Sequence, residues 1–349
     1  MGVSCRIYIK KPREGIHRAG KPVIGILSYA IDQPTEYQTA TLSLIGKAKC
    51  QWTMHSGKTT HTYTGHETFL SLRLNILDKR PEETVTLPVG AYEFQFQFTL
   101  PFEIPPSFQD KHSDIEYHLV ARFEKPSFFS WARKFEKKLT VYGNVNPTVP
   151  MEPVSYGIRK VLFKLFSSKE HVVDIKAQIT KSFLMPGENA ELQLIVTNDT
   201  DTNIKYVSTE LISRTSYHST GFFGTDTKIE EKTYHPCMVM TPSVPQNKIS
   251  KFTCLVPTLP ELYSIQHCKI IKKDYFLRLT ASLSFPHINP SVNIPIVIGE
   301  GRFGDCSGVI ELDNIDEANE AAPNIMDSPP SYWEVMNEDN SEEKSDEKN

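Results

Sequence analysis

Apolar side chains recur at every second position along much of residues 1–300, a period that fits strands and not amphipathic helices. Phe94, Phe96, Phe98 and Leu100 alternate with Gln95, Gln97 and Thr99. Ala190, Leu192, Leu194 and Val196 interleave with Glu191, Gln193 and Ile195. Leu277, Leu279, Ala281, Leu283 and Phe285 do the same with Arg278, Thr280, Ser282 and Ser284. A pleated strand gathers such residues on one face, whereas a helix scatters them around its circumference. Turn-forming clusters, Leu87-Pro88-Val89-Gly90 and Met185-Pro186-Gly187-Glu188, separate the runs. The nearest rival is Val161 to Phe166, a candidate short amphipathic helix. Its β-branched and aromatic residues favour a connecting strand instead. Many short strands between Gly/Pro turns predict an all-β chain of antiparallel sandwiches. A length of 349 residues gives room for about two of them.

The chain also repeats itself once. Gly20 opens a run through Val23, Ile24 and Leu27, and Gly187 opens one through Ala190, Leu192 and Leu194. Leu44-Ile45 is matched by Leu211-Ile212, Leu100-Pro101 by Leu259-Pro260, and Tyr117-His118-Leu119 by Tyr275-Phe276-Leu277. Order is kept while spacing drifts, as loop-length changes produce. The expected layout is a first sandwich over 1–146, a linker over 147–168 marked by Pro147, Pro150 and Pro153, a second sandwich over 169–300, and a disordered acidic tail over 301–349.

Composition bounds the function. No stretch approaches 18 apolar residues, so no membrane-spanning helix is expected. The first six residues carry neither a secretory signal nor a myristoylation signal, which wants Ser or Thr where Arg6 stands. Six scattered cysteines without a CxxC pair suit reduced thiols in the cytosol and argue against a disulfide framework or a zinc site. The sequon Asn198-Asp199-Thr200 is then idle. From Glu311 to Asn349 there are 13 acidic residues and 2 lysines, a net of −11; with −4 for the whole chain, residues 1–310 carry +7. A basic body of this kind tolerates acidic membrane surfaces or phosphorylated partners; the other reading is a tail that is acidic only to stay soluble. Residues 313–349 hold no aromatics besides Tyr332 and Trp333 and bury too little apolar surface to offset ordering entropy.

That tail contains Pro329-Pro330-Ser331-Tyr332, the PPxY peptide that WW domains read. A prolyl pair already prefers the polyproline II shape, so little entropy is lost when it docks in an aromatic groove. With 24 Pro and 14 Tyr in 349 residues, chance yields roughly 0.07 such matches, and the exposed setting favours a real ligand. Trp333 and Val335 extend the motif with apolar contacts. Tyr332-Trp333-Glu334-Val335 is also a formal YxxΦ sorting peptide, which fixes only two positions. A flexible chain from about residue 301 to Pro329 has a reach of roughly 30 Å.

These features together resemble a family. Leu87-Pro88-Val89-Gly90-Ala91-Tyr92-Glu93-Phe94-Gln95-Phe96-Gln97-Phe98-Thr99-Leu100-Pro101, then Pro105-Pro106-Ser107-Phe108, resembles the LPxGxYxFxFxFxLP…PPSF stretch of arrestin N-domains. Ile115 to Ala121 looks like the strand that follows it. Phe183-Leu184-Met185-Pro186-Gly187-Glu188 with Val196-Thr197-Asn198 looks like the start of the arrestin C-domain, and Ile294 to Gly299 like its last strand. The PPxY tail points to the α-arrestin branch, the arrestin domain-containing proteins. The resemblance implies two arrestin-like β-sandwiches and a non-enzymatic adaptor role. Such proteins bring WW-domain E3 ubiquitin ligases of the HECT class to transmembrane receptors or transporters, which are ubiquitinated and endocytosed. It implies cytoplasmic residence with recruitment to the plasma membrane and endosomes, peripheral membrane association, no cofactor and no nucleic acid. Family tails often carry several PPxY copies; this one carries a single copy, which removes multivalent avidity. The alternative is a coat or scaffold subunit like the arrestin-like subunit of retromer, with the PPxY incidental.

Other segments have two readings each. Val309-Ile310-Glu311-Leu312-Asp313 approximates a clathrin box with valine in place of the leading leucine; otherwise it is a trailing body strand. Phe128, Phe129 and Trp131, flanked by Lys125, Arg133 and Lys134, are candidates for dipping into a membrane interface, or they cover the first sandwich. Lys137, Lys138, Lys272 and Lys273 form a basic face or accept ubiquitin, or are simply solvated. Gly57-Lys58-Thr59 imitates a phosphate loop, but Trp52 stands where the first glycine belongs. Gly304-Asp305-Cys306-Ser307-Gly308 lacks the strand–turn–helix setting of a nucleophile elbow. His55, His61 and His66 lack metal-ligand spacing. No catalytic constellation emerges.

Overall fold

Most of the alternation becomes strand, and every regular element among the described residues is a β-strand. The structure, a computed structural model, describes residues 2–12, 15–77, 83–126, 132–150, 153–162, 170–219 and 226–301. The first half holds β1 (Val3–Ile9), β2 (His17–Arg18), β3 (Pro22–Ile31), β4 (Thr35–Tyr37), β5 (Thr39–Ser56), β6 (Thr59–Asn75), β7 (Val85–Leu87), β8 (Gly90–Thr99), β9 (Phe108–Gln109), β10 (Ser113–Glu124), β11 (Arg133–Leu139) and β12 (Val141–Tyr142). The second holds β13 (Val154–Leu162), β14 (His171–Ile179), β15 (Phe183–Leu184), β16 (Ala190–Asp199), β17 (Tyr206–His218), β18 (Thr227–Met240), β19 (Lys248–Val256), β20 (Ile271–Ser282) and β21 (Ser291–Ile298).

Each half is a sandwich. Sheets β1-β3-β8 and β11-β10-β5-β6 make the first; β13-β14-β16-β19 and β15-β21-β20-β17-β18 make the second. The inward residues of the first share one core, including Val23, Leu27, Leu42, Leu44, Phe96, Phe98, Leu119 and Phe123. Those of the second share another, including Ile175, Leu192, Leu194, Leu211, Leu277, Leu279 and Ile296. A fully buried leucine contributes about 1.5–3 kcal/mol relative to exposure, so one face of each long strand fixes its register. At the open edge of β1, Lys137 of β11 donates to the Ile7 carbonyl at 2.9 Å, occupying a backbone acceptor on that edge.

The duplication is carried by topology. β3 lies between β1 and β8 as β16 lies between β14 and β19, and β5 lies between β10 and β6 as β17 lies between β20 and β18. Leu44 faces Leu119 across β5 and β10, and Leu211 faces Leu277 across β17 and β20. The two turn glycines both adopt left-handed backbone, φ 78° at Gly20 and 82° at Gly187, where a side chain is strained.

Two expectations change. The prolines of 147–168 predict a linker, yet within it β13 pairs with β14 over nine residues from Val154–Ile179 to Leu162–His171. Its alternation places Val154, Tyr156 and Ile158 against the second core, so packing extends the sandwich into the segment. The period-two pattern predicts that Phe285 continues the buried face of β20. The strand instead ends at Ser282, and Phe285 is 96% exposed. Asn289 Oδ1 accepts from the Leu283 amide, and the Ala281 amide donates to the Pro290 carbonyl, so the chain turns before the alternation resumes.

The five described cysteines are unbonded, and burial pushes each thiol up, Cys5 to about 11 and Cys268 to about 12. Little thiolate exists at neutral pH, which fits thiols used for packing. Asn198 of the sequon is fully buried. Its Nδ2 serves the carbonyls of Thr202 (2.8 Å), Val244 (3.2 Å) and Pro245 (3.1 Å), while the Thr200 hydroxyl donates to its Oδ1 at 2.7 Å. The asparagine is thus a fastener between two loops, and the fold hides it from glycosylation. Asn198→Ala strands several buried polar groups, and urea denaturation is expected to show a loss of about 2–4 kcal/mol at unchanged slope.

Candidate functional site at the seam between the sandwiches

The end of sheet β20-β17-β18 extends past its own core and presents two rows to the first sandwich: Ile271, Tyr217 and Lys228, then Lys273, Thr215 and Glu230. Onto these rows β9 and the turn after it lay Phe108, Asp110 and His112. Lys273 Nζ lies 4.9 Å from the Phe108 ring centre and 5.5 Å from that of Tyr275. Burial lowers the affinity of Lys273 for its proton. The Tyr217 hydroxyl donates to Asp110 Oδ2 at 2.7 Å, and burial first, then the Asp110 carboxylate, push the phenol upward. Asp110 Oδ1 accepts from the His112 amide (2.9 Å), the Ser113 amide (2.8 Å) and the Ser113 hydroxyl (3.0 Å), an Asx turn that holds the carboxylate in place. Burial opposes ionisation of Glu230, but Lys228 and His112 outweigh it and hold the carboxyl below its ordinary value.

The hairpin β5–β6 supplies a second contact. A Cβ on Gly65 would sit 2.4 Å from the His218 carbonyl oxygen, so only glycine admits this approach. Cys50 Sγ donates to the same carbonyl at 3.4 Å. The connection between β19 and β20 supplies a third. Ile265 and Ile270 join the core of the first sandwich, Glu67 Oε2 accepts from the Lys269 amide at 2.7 Å, and Tyr263 packs on Tyr142 at 4.6 Å between ring centres. Asn146 and Gln266 exchange two hydrogen bonds. Where β21 ends, the Val145 amide donates to the Glu300 carbonyl at 2.8 Å, and the Glu300 carboxylate pairs with Arg18.

Pro329, Pro330, Tyr332, Trp333 and Val335 lie outside the described residues, as do Val309, Ile310, Glu311, Leu312 and Asp313, and Phe128, Phe129 and Trp131. The strands bracketing that last group are described: β10 and β11 pair from Tyr117–Leu139 to Phe123–Arg133. Of the four lysines read as a basic face, Lys273 sits in the seam, Lys137 serves the β1 edge, Lys138 pairs with Glu116, and Lys272 pairs with Asp274 at 3.0 Å. Gly57, Lys58 and Thr59 occupy the turn and first residue of the β5–β6 hairpin, with Gly57 at φ 60°, which is no phosphate cradle at a helix start. His55 and His61 bond to Thr60 and Thr59 on that exposed hairpin, and among the described residues no three His, Cys, Asp or Glu side chains gather to hold a metal.

Two sandwiches joined by such a seam match two family models in succession. The N-terminal domain of arrestin (or S-antigen) matches residues 5–147, and its C-terminal domain matches residues 169–303. The chain belongs to the arrestin family. Among its relatives are the arrestin domain-containing proteins of the α-arrestin branch. Arrestin domain-containing protein 17 of Caenorhabditis elegans is 24% identical over 302 residues, covering 82% of this chain and 68% of that protein. Human arrestin domain-containing protein 1 is 23% identical over 291 residues, covering 81% and 61%. Human arrestin domain-containing protein 5 is 21% identical over 317 residues, covering 85% and 88%. The chain thus spans about three fifths of the protein 1 relatives' length.

The sequence marks Phe108 as part of PPSF and Lys273 as a surface lysine, and nothing in it marks Asp110, His112, Tyr217, Lys228 or Glu230 as partners. Asp110 with Ser113 is a local turn signal, but Tyr217 stands 107 residues from Asp110, and nothing local announces the contact. Tyr217→Phe removes a charge-assisted bond, and chemical denaturation is expected to record a loss of about 1.5–3 kcal/mol. Because the folded carboxyl of Glu230 lies below its unfolded value, its stabilisation is present above about pH 4.3 and lost as pH falls through the folded value. Glu230→Gln is therefore expected to flatten the acid limb of a stability–pH profile below that point and leave other carboxylates' share intact.

Proposed function

We propose that the chain is a cytoplasmic, non-enzymatic adaptor that couples transmembrane cargo to a WW-domain ubiquitin ligase of the HECT class. Pro329, Pro330 and Tyr332 are the docking peptide, with Trp333 and Val335 adding apolar contact beyond the groove. The observation that carries the reading is this PPxY sequence in an acidic tail directly after a two-domain arrestin body. Arrestin domain-containing proteins are generally trafficking adaptors, which supports it. Among the described residues no helix is long and apolar enough to cross a membrane; in this reading the chain is recruited to the plasma membrane and endosomes. The body grips cargo while the acidic tail brings the ligase to nearby lysines. Val309 to Asp313 adds a clathrin or adaptor-complex contact, and Phe128, Phe129 and Trp131 a membrane contact.

A purified WW domain from a HECT ligase is expected to retain the full chain and to lose it with Tyr332→Ala by about tenfold or more in affinity, the cost of truncating an aromatic anchor. Equal retention of both proteins sinks the ligase reading. The single PPxY copy favours one other reading, a coat or scaffold subunit of the retromer arrestin-like type. Deleting 313–349 separates them: an adaptor loses cargo ubiquitination, and a coat subunit keeps its partners.

A further inference from the structure

His112 stands between a cation and an anion carried by one strand of the opposite sandwich. Its Nε2 lies 3.0 Å from Lys228 Nζ and 3.0 Å from Glu230 Oε1, and those two groups are 2.9 Å apart. The imidazole side chain is 10% exposed, with its ring edge-on to Tyr217 at 5.6 Å between centres. One nitrogen does not satisfy both partners. A bare Nε2 accepts a hydrogen bond from an ammonium and has nothing to donate to a carboxylate; a protonated Nε2 donates to the carboxylate and repels the ammonium. The two contacts are alternatives, and a single proton selects between them.

We propose that His112 is a proton-operated latch on the seam, bonded to Lys228 when neutral and to Glu230 when protonated, so that uptake of a proton releases Lys228 from the first sandwich. The turn carrying His112 does not follow the exchange. Its amide is held by Asp110 Oδ1, and its carbonyl accepts from the Gln51 amide at 2.8 Å. The ionisable groups facing the imidazole are Asp110 on its own turn, Tyr217 on β17, Lys228 and Glu230 on β18, and Lys273 on β20. With neutral His112 and Tyr217, two carboxylates balance two ammoniums. A proton on His112 leaves one positive charge in excess. Lys273 is held between the Phe108 and Tyr275 rings, whereas Lys228 lies one residue from the start of β18 with its side chain 27% exposed. Lys228 is therefore the cation that leaves, and its contact across the seam is exchanged for that of Glu230.

Imidazoles change charge between about pH 5 and 8. At an anionic cytoplasmic leaflet of roughly −30 mV the local pH is lower by about half a unit. An adaptor recruited there meets a shifted latch; that consequence alone rests on the reading above, and the latch itself does not.

Nitroxide labels on Gln97→Cys and Gln193→Cys, one exposed site on each sandwich, report the separation of the two bodies in the full chain. Between pH 8 and pH 5.5 the distance distribution is expected to move or broaden reversibly by about 2 Å, the scale of interface shifts. His112→Gln takes up no proton and is expected to give the pH 8 distribution at both values. Lys228→Met, lacking the group that leaves, is expected to be unresponsive as well. An invariant wild-type distribution overturns the latch, and so does a full response in either variant. Cooperative thermal unfolding at pH 8 checks that each variant is folded, and the partly exposed Lys228→Met carries the test if His112→Gln fails that check.

Discussion

Leu44 opposite Leu119 and Leu211 opposite Leu277 hold the centres of two separate cores, and the remaining architecture hangs on those packed faces. Each pair locks the register between strands 75 and 66 residues apart in sequence (119 − 44 and 277 − 211). A slip of one residue would turn every inward side chain outward. The glycine turns before β3 and β16, the paired edges and the repeat of sheet order all follow from satisfying the same constraint twice. The second sandwich adds β13 at one edge, where Val154, Tyr156 and Ile158 find apolar cover.

The seam follows different physics. Its central contacts are polar and partly buried: a carboxylate bound by a phenol, an ammonium between aromatic rings, an imidazole between opposite charges. Such groups gain little net stability over apolar replacements, since desolvation offsets much of the attraction. They demand fixed geometry, because a displaced partner strands a charge. Polar joints of this type specify one arrangement of the two bodies while remaining sensitive to protons and to substitution.

Several local readings show where pattern suffices and where it stops. Phe94 to Leu100 and Ala190 to Val196 pack as their alternation requires. Phe285 continues the same period yet is exposed, because Asn289 and Pro290 close the chain into a turn after Ser282. Pro147, Pro150 and Pro153 read as a linker, but proline only bars a ladder donor at its own position and leaves Val154 onward free to pair. Lys273 reads as a solvated lysine because its ring partner Phe108 is 165 residues away (273 − 108).

From sequence alone came the strand period, the tandem repeat, the family and the PPxY peptide, because each is written in residues adjacent or evenly spaced along the chain. Only the tertiary structure decided which residues meet at the seam. Asp110 and His112 are ordinary turn residues, and Tyr217, Lys228 and Glu230 ordinary strand residues, until two independently formed cores bring their ends together. Burial at that junction, and not any local pattern, raises the Tyr217 phenol and lowers the proton affinity of Lys273, while Lys228 and His112 hold the Glu230 carboxyl below its ordinary value against that burial.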